Sequence, residues 1–257
     1  SIKEWLVKTG TKGTIRFYGT PAEEGGSGKV YMVRAGLFDD VDAVLHWHPS
    51  SSNGANAESS NANKSAKFRF SGISAHAAGS PHKGRSALDG VEAMNMMVNM
   101  MREHIPQESR IHYVITKGGL APNVVPDMAE VYYYVRHPKR EKVNEIFNWV
   151  VKASKGAAMG TETTVTHEVM HGNYSKLPNH TLQKIMHKNL VSRGGIKYSS
   201  EENKYAKEIY KTMVAPSNII GDQEKIRPYR TSHTDGSTDV GISRDSGESS
   251  STRTRSS

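Results

Sequence analysis

Glu23 and Glu24 stand side by side in a glycine-rich stretch, Pro21-Ala22-Glu23-Glu24-Gly25-Gly26-Ser27-Gly28. Two carboxylates this close repel, and one is driven towards its protonated form unless a cation sits there. A divalent ion resolves the conflict: one carboxylate binds it, and the other is left to act as a general base on water. The plain reading of the pair by itself is a solvated turn. His48 adds a further donor at the end of an apolar run, and His46 shares its face if that run is a regular strand. A lone histidine is usually a satisfied polar residue, but here it follows a carboxylate pair by one structural unit.

The elements that must position these groups are legible in the polarity pattern. Residues 14–19 alternate and predict a strand, the Pro21–Gly28 stretch a loop, 29–36 a short helix, and 41–47 a buried strand ending in His48-Pro49. Residues 50–65, rich in Ser, Asn and Ala, predict a loop and a hinge. After it come a strand at 68–73 and a helix opened by Ser86, with apolar positions Ala87, Val91, Met94, Val98 and Met101. The Met residues between Met94 and Met101 read as core filler, with a ligand groove as the alternative. Strands at 112–116 and 130–136 are followed by a helix after Pro138 that carries Val143, Ile146, Phe147, Val150 and Val151 and stops at Gly156. A strand at 163–169 completes strand-helix-strand twice over, the ferredoxin-like arrangement. Residues 175–214 read as helical and 215–236 as loop.

The expected fold class is therefore α/β. Residues 1–64 form a first α/β segment, 65–172 an inserted ferredoxin-like α+β domain, and 173–241 a further segment. Residues 242–257 show no periodicity and read as an aberrant or disordered tail.

Composition narrows the function classes. The chain has 257 residues and no cysteine, so disulfide frameworks, thiolate nucleophiles and cysteine zinc sites are excluded. No apolar run approaches the roughly 20 residues of a membrane helix, and no amino-terminal signal is visible, so the expected location is cytoplasmic. The net charge of +8 invites anionic partners. Its spread along the chain favours small anionic substrates over nucleic acid, with the Arg-rich tail as the place where a nucleic acid would bind if one does.

The stretch Tyr18-Gly19-Thr20-Pro21-Ala22-Glu23-Glu24-Gly25-Gly26 resembles a motif of the aminoacylase and glutamate-carboxypeptidase family of two-metal peptidases, peptidase family M20. The likeness continues through Asp42–Pro49, Gly72-Ile73-Ser74-Ala75-His76-Ala77-Ala78, Pro122–Asp127 and Val135-Arg136, and so covers roughly residues 1–241. Trp47-His48-Pro49, Ser80–Asp89, Thr161–Val165 and Gly236–Gly241 resemble the p-aminobenzoyl-glutamate-hydrolysing subgroup.

The resemblance implies hydrolysis of an amide next to a free carboxylate, with residues 1–64 and 173–241 as the first and second parts of a catalytic domain and 65–172 as the inserted dimerisation domain. It assigns Glu23 as general base, Glu24 and His48 as metal ligands, and leaves His46 spare. His76 would stabilise the oxyanion in a neighbouring subunit's site, and Asn123 and Arg136 would hold the substrate carboxylate, for which a planar guanidinium is suited. Asn123 beside Pro122 also reads as a turn former, and Arg136 as a surface residue. His82 and His112 read as structural. Two divalent ions (zinc, manganese or cobalt), a homodimer through the inserted domain and a second type of subunit are further implications. Family ligands upstream and downstream of these motifs have no counterpart here. With the start at Ser1 and the altered end after Gly241, the expectation is a fragment, inactive as it stands; a non-catalytic dimerisation fragment is the alternative.

Overall fold

A computed structural model describes residues 1–50, 52–214, 216 and 220–234, the side chains of 232–234 excepted. The Gly236–Gly241 motif and the tail from 242 lie outside the described residues. In chain order the elements are α1 (Ile2–Thr9), α2 (Gly28–Arg34), β1 (Ala57–Ser60), β2 (Ala62–Ser71), α3 (Ala87–Met101), β3 (Arg110–Lys117), β4 (Met128–His137), α4 (Arg140–Gly160), β5 (Thr164–Asn173), α5 (His180–Arg193), α6 (Ser200–Tyr210) and β6 (Thr231–Thr234). No helix among them is long and apolar enough to cross a membrane.

Alternate residues of β2 and β4 are buried, because one sheet face carries the core. Phe68, Phe70, Val131, Tyr133 and Val135 lie on it. The sheet order is β3-β4-β2-β5, all antiparallel, the ferredoxin-like order expected from the two strand-helix-strand units. Helices α3 and α4 cover the apolar face with Ala87, Val91, Met94, Val98 and Met101 from one, and Val143, Ile146, Phe147 and Val150 from the other. Ser86 caps α3, its hydroxyl accepting from the Asp89 amide at 3.2 Å. A side chain at Gly90 would come within 2.5 Å of the Phe70 ring, so glycine is what lets α3 settle onto β2. The methionine run divides: Met94 and Met101 are core, whereas Met96 and Met100 face outwards.

Five expectations are corrected. The helix α4 passes through Gly156 to Gly160, because Ala157 and Ala158 still have core to bury. It ends where the Thr161 hydroxyl donates to the Ala157 carbonyl at 2.8 Å. Residues 14–19 form no strand: among the described residues no strand pairs with them, and Phe17 is 96% exposed. The segment is held instead by side chains, Arg16 to Asp40 at 2.6 Å and the Tyr18 hydroxyl to the Leu37 carbonyl at 2.7 Å. Residues 41–47 are likewise neither strand nor buried, with Trp47 82% exposed. The supposed loop at 50–65 contains β1 and the start of β2, and the loop from 215 contains β6, which pairs with β1 in parallel. Small polar side chains hid these strands, since Ser and Asn are turn formers yet Asn61, Asn63 and Ser65 are buried here.

The sheet's other face is polar and charged. Glu130 is buried there, and accepts from Arg69 Nε at 2.6 Å and Thr116 Oγ1 at 2.7 Å, with Lys67 Nζ 3.3 Å away. Burial opposes its ionisation, but Thr116, Arg69 and Lys67 together outweigh it and hold the carboxyl below its ordinary pKa of 4.5. A depressed folded-state pKa stabilises above the unfolded value and is lost as the pH falls through the folded one. Glu130→Gln is therefore expected to flatten the loss of stability below about pH 4.5, read from denaturant midpoints across pH. An unchanged slope would show that this network does not govern acid unfolding.

Candidate active site

The Pro21–Gly28 loop folds back on itself. The Gly26 amide donates to the Ala22 carbonyl at 3.0 Å, and a side chain at Gly28 would meet the Pro21 carbonyl at 2.1 Å. Two residues other than glycine, Ala22 and Ser27, hold positive φ values of 59° and 50°, one on each side of the glutamate pair. Such backbone persists only where its surroundings over-determine it. Buried Ser27 supplies that constraint, its hydroxyl donating to Asn173 Oδ1 at the end of β5, 3.1 Å away. The turn that carries Glu23 and Glu24 is thus docked on one end of the sandwich. Glu23 is half-buried and Glu24 exposed.

Arg136 arrives at that same end. On β4 it lies level with Asn63 of β2, whose other neighbour is Asn173. Its guanidinium stands 5.5 Å from the Tyr134 ring, and its buried Nε has no hydrogen-bond partner. Tyr134 is also 2.8 Å from His171 Nε2 and 3.3 Å from the Tyr132 hydroxyl. Burial first, then Tyr132 and the charge of Glu24, push the Tyr134 phenol up to about 12, against the opposing pull of Arg136. It therefore remains a neutral hydroxyl at any ordinary pH. His46 belongs to this neighbourhood too: crowding by the chain lowers its pKa, and the charges of Lys176 and Lys29 add to that effect. His48 is exposed, with Nδ1 2.9 Å from its neighbouring Pro49 carbonyl.

His76 and Asn123 lie at the opposite end. The Ala77 amide donates to the Asn123 carbonyl at 3.0 Å, and the Val125 amide to the Ala75 carbonyl at 3.0 Å, which zips the two loops together. The Ser80–Asp89 motif joins them, since Ile73 and Arg85 exchange backbone hydrogen bonds and the Ala87 amide donates to Pro126. A side chain at Gly72 would sit 2.0 Å from the Arg85 carbonyl, so glycine is required at this crossing. His76 Nδ1 accepts from the amides of Ala78 at 3.2 Å and Gly79 at 2.9 Å. That leaves the ring hydrogen on Nε2, an outward donor suited to a developing oxyanion. Along β4, Met128 at this end and Arg136 at the other are about 26 Å apart at about 3.3 Å per residue. One copy of the chain therefore does not bring His76 and Asn123 to Glu23, Glu24 and Arg136.

Among the described residues no three His, Cys, Asp or Glu side chains converge where they could hold a metal ion. Glu24 and His48 have the right chemistry, but two donors fall short of the about four that zinc takes. The described residues do not by themselves fit an ion. Ser27, Tyr134, His171 and Asn173 were not singled out by the sequence. The alternation Tyr132, Tyr134, Arg136 was the available signal, because period two places all three on one sheet face.

Residues 61–162 match the peptidase dimerisation domain of M20 enzymes. A subunit of the p-aminobenzoyl-glutamate hydrolase of Escherichia coli K12 is 48% identical over 216 residues, 84% of this chain and 45% of that protein. The chain belongs to the M20 peptidase family. A mouse Xaa-Arg dipeptidase is 33% identical over 165 residues, 64% of this chain and 38% of its own length. The chain thus spans less than half the length of these curated relatives. In fold alone, it resembles a putative aminohydrolase from methicillin-resistant Staphylococcus aureus, with a TM-score of 0.56 at 18% identity over 86% of this chain and 52% of that one. The matched M20 dimerisation domain covers the sandwich up to the end of α4, together with the His76 and Asn123 loops, while β5 and the Glu23–Glu24 turn lie outside it.

Proposed function

We propose that this M20 chain serves a metal-dependent amide hydrolase acting on N-acyl or N-aroyl amino acids, with p-aminobenzoyl-glutamate as the leading substrate. The observation that carries the reading is the docking of the Glu23–Glu24 turn, through Ser27 and Asn173, at the end of the sheet where Arg136 stands. Glu23 takes a proton from the attacking water and returns it to the leaving amine. Arg136 pairs with the substrate carboxylate, to which its buried Nε offers an unused donor. Glu24 and His48 contribute two donors to the metal set, whose other members lie outside the described residues. His76 and Asn123, at the far end, serve the site of a second copy. Self-association through the inserted domain supplies that copy, and the exposed Val114 and Ile115 of edge strand β3 fit such pairing.

The test is hydrolysis of p-aminobenzoyl-glutamate, and of the matching amide without a free carboxylate, by the zinc- or manganese-loaded chain. Arg136→Ala is expected to raise KM for the carboxylate substrate about ten- to a hundredfold, the loss of one charged hydrogen-bonding partner. The uncharged amide should be little affected. Equal losses on both substrates would remove the carboxylate clamp, and no hydrolysis of either would remove the enzymatic reading of this chain. A second reading, a non-catalytic dimerisation module, is favoured by the lack of a converged donor set among the described residues. A chain that dimerises but holds no zinc or manganese would support it.

A further inference from the structure

A cleft of about 490 Å³ opens beside the carboxyl end of α3 and the start of β3, at the sandwich edge formed by β3. Its lining includes Arg102, Gln107, Ser109, Arg110, His112 and Tyr113, and no carboxylate. The two guanidiniums are held in place by backbone oxygens. Arg102 Nη1 donates to the Ile111 carbonyl at 2.6 Å, while Arg110 Nη1 donates to the carbonyls of Gln107 at 2.8 Å and Ser109 at 2.9 Å. These bonds fix the forks without neutralising them, so both cations keep unused N–H donors. The Ser109 hydroxyl, in the same lining, is buried, the residue only 8% exposed, and has no hydrogen-bond partner.

An orphaned buried hydroxyl costs about 1–3 kcal/mol. An anion oxygen in this cleft would accept its hydrogen and satisfy it. The Pro106–Ser109 turn, closed by the Ser109 amide donating to the Pro106 carbonyl at 2.9 Å, sets that hydroxyl beside Arg110. Preset guanidiniums, an adjacent imidazole and a buried hydroxyl form a donor array for a compact oxyanion. The volume lies within the range of small-molecule sites, so the oxyanion is the head of a small metabolite.

We infer that this cleft is a second ligand site, specific for a small molecule bearing a phosphate or carboxylate group. It holds neither Glu23 nor Arg136 but adjoins the strand end they share, since Arg110 is the cross-strand neighbour of Arg136.

The experiment is calorimetric titration of the full chain with inorganic phosphate and with glutamate, at ionic strength matched with sodium chloride. Saturable phosphate binding that survives Arg136→Ala assigns a phosphate head to the cleft, and tighter glutamate binding that survives it a carboxylate head; binding abolished by Arg136→Ala belongs to the clamp and counts against the cleft. Arg110 is exposed and caps only its own turn, so Arg110→Gln leaves the fold intact, which circular dichroism verifies. It should weaken binding about tenfold or more, and Ser109→Ala by several-fold. Two further results would overturn the inference: neither anion binding above chloride, including through a partner copy covering the cleft, or equal affinity in both variants and the parent chain.

Discussion

Glu23→Gln is expected to lower kcat for an N-aroyl glutamate by about 10²- to 10⁴-fold while KM stays within about twofold. The substitution keeps shape and hydrogen-bonding capacity but removes the only property a general base needs, a lone pair that takes a proton near neutral pH. Binding survives because the proposed carboxylate clamp, Arg136, is untouched. Glu24→Gln tests the division of labour within the pair, since it should weaken metal retention before it changes the chemical step. A Glu23→Gln protein with normal turnover would end the assignment of Glu23. The two-ended layout of the sandwich adds a sharper test. If His76 serves a neighbouring copy, Glu23→Gln and His76→Ala chains are each inactive alone, yet mixed dimers contain one intact site. Random mixing of a symmetric dimer then restores about a quarter of the parent activity. Failure to complement, with mixed dimers demonstrated, would place His76 in the site of its own copy and contradict the separation of about 26 Å along β4.

The legible parts of this chain are those where burial enforces periodicity. The stripes of α3 and α4 and the alternation of β4 lie over a core, so hydrophobic spacing and structure coincide there. Where burial is slight, spacing misled: Ile15 and Phe17 alternate like a strand, yet both are exposed and no strand among the described residues pairs with them. β1 and the start of β2 failed for the opposite reason, since Ser60, Asn61 and Asn63 are buried polar residues that composition reads as a loop. For the candidate site, the motifs pointed to residues but not to how they are partitioned. The resemblance assigns Asn123 and Arg136 to one carboxylate, whereas backbone pairing ties Asn123 to His76 and strand length carries Arg136 away. That partition depends on β4 lying between β2 and β3, a tertiary fact that no local pattern contains. The docking of Ser27 on Asn173 joins residues 146 positions apart and was equally out of reach.

Phe68→Ala is expected to cost about 3–5 kcal/mol, a large share of the about 5–15 kcal/mol by which a single domain is stable. Phe68 is fully buried at the middle of β2 and stacks on His167 at 5.5 Å, meets Tyr133 edge-on at 5.8 Å and reaches Phe147 of α4 at 6.4 Å. Truncation leaves a cavity that β2, pinned between β4 and β5, cannot close. The melting temperature should fall by roughly 15–25 °C, whereas Phe68→Leu, which keeps most of the volume, should lose about 1 kcal/mol. Phe17→Ala, the removal of a ring that is 96% exposed, is the control and should leave the melt unchanged. The consequence reaches function because β2 and β4 run the length of the sandwich. Their lower end presents Arg136 to the Glu23–Glu24 turn, and their upper end anchors the His76 and Asn123 loops. A loosened β2 should therefore impair substrate binding in its own copy and oxyanion stabilisation in the partner's together. If Phe68→Ala melts within about 1 kcal/mol of the parent chain at matched concentration, this sheet is not the scaffold that holds the two half-sites.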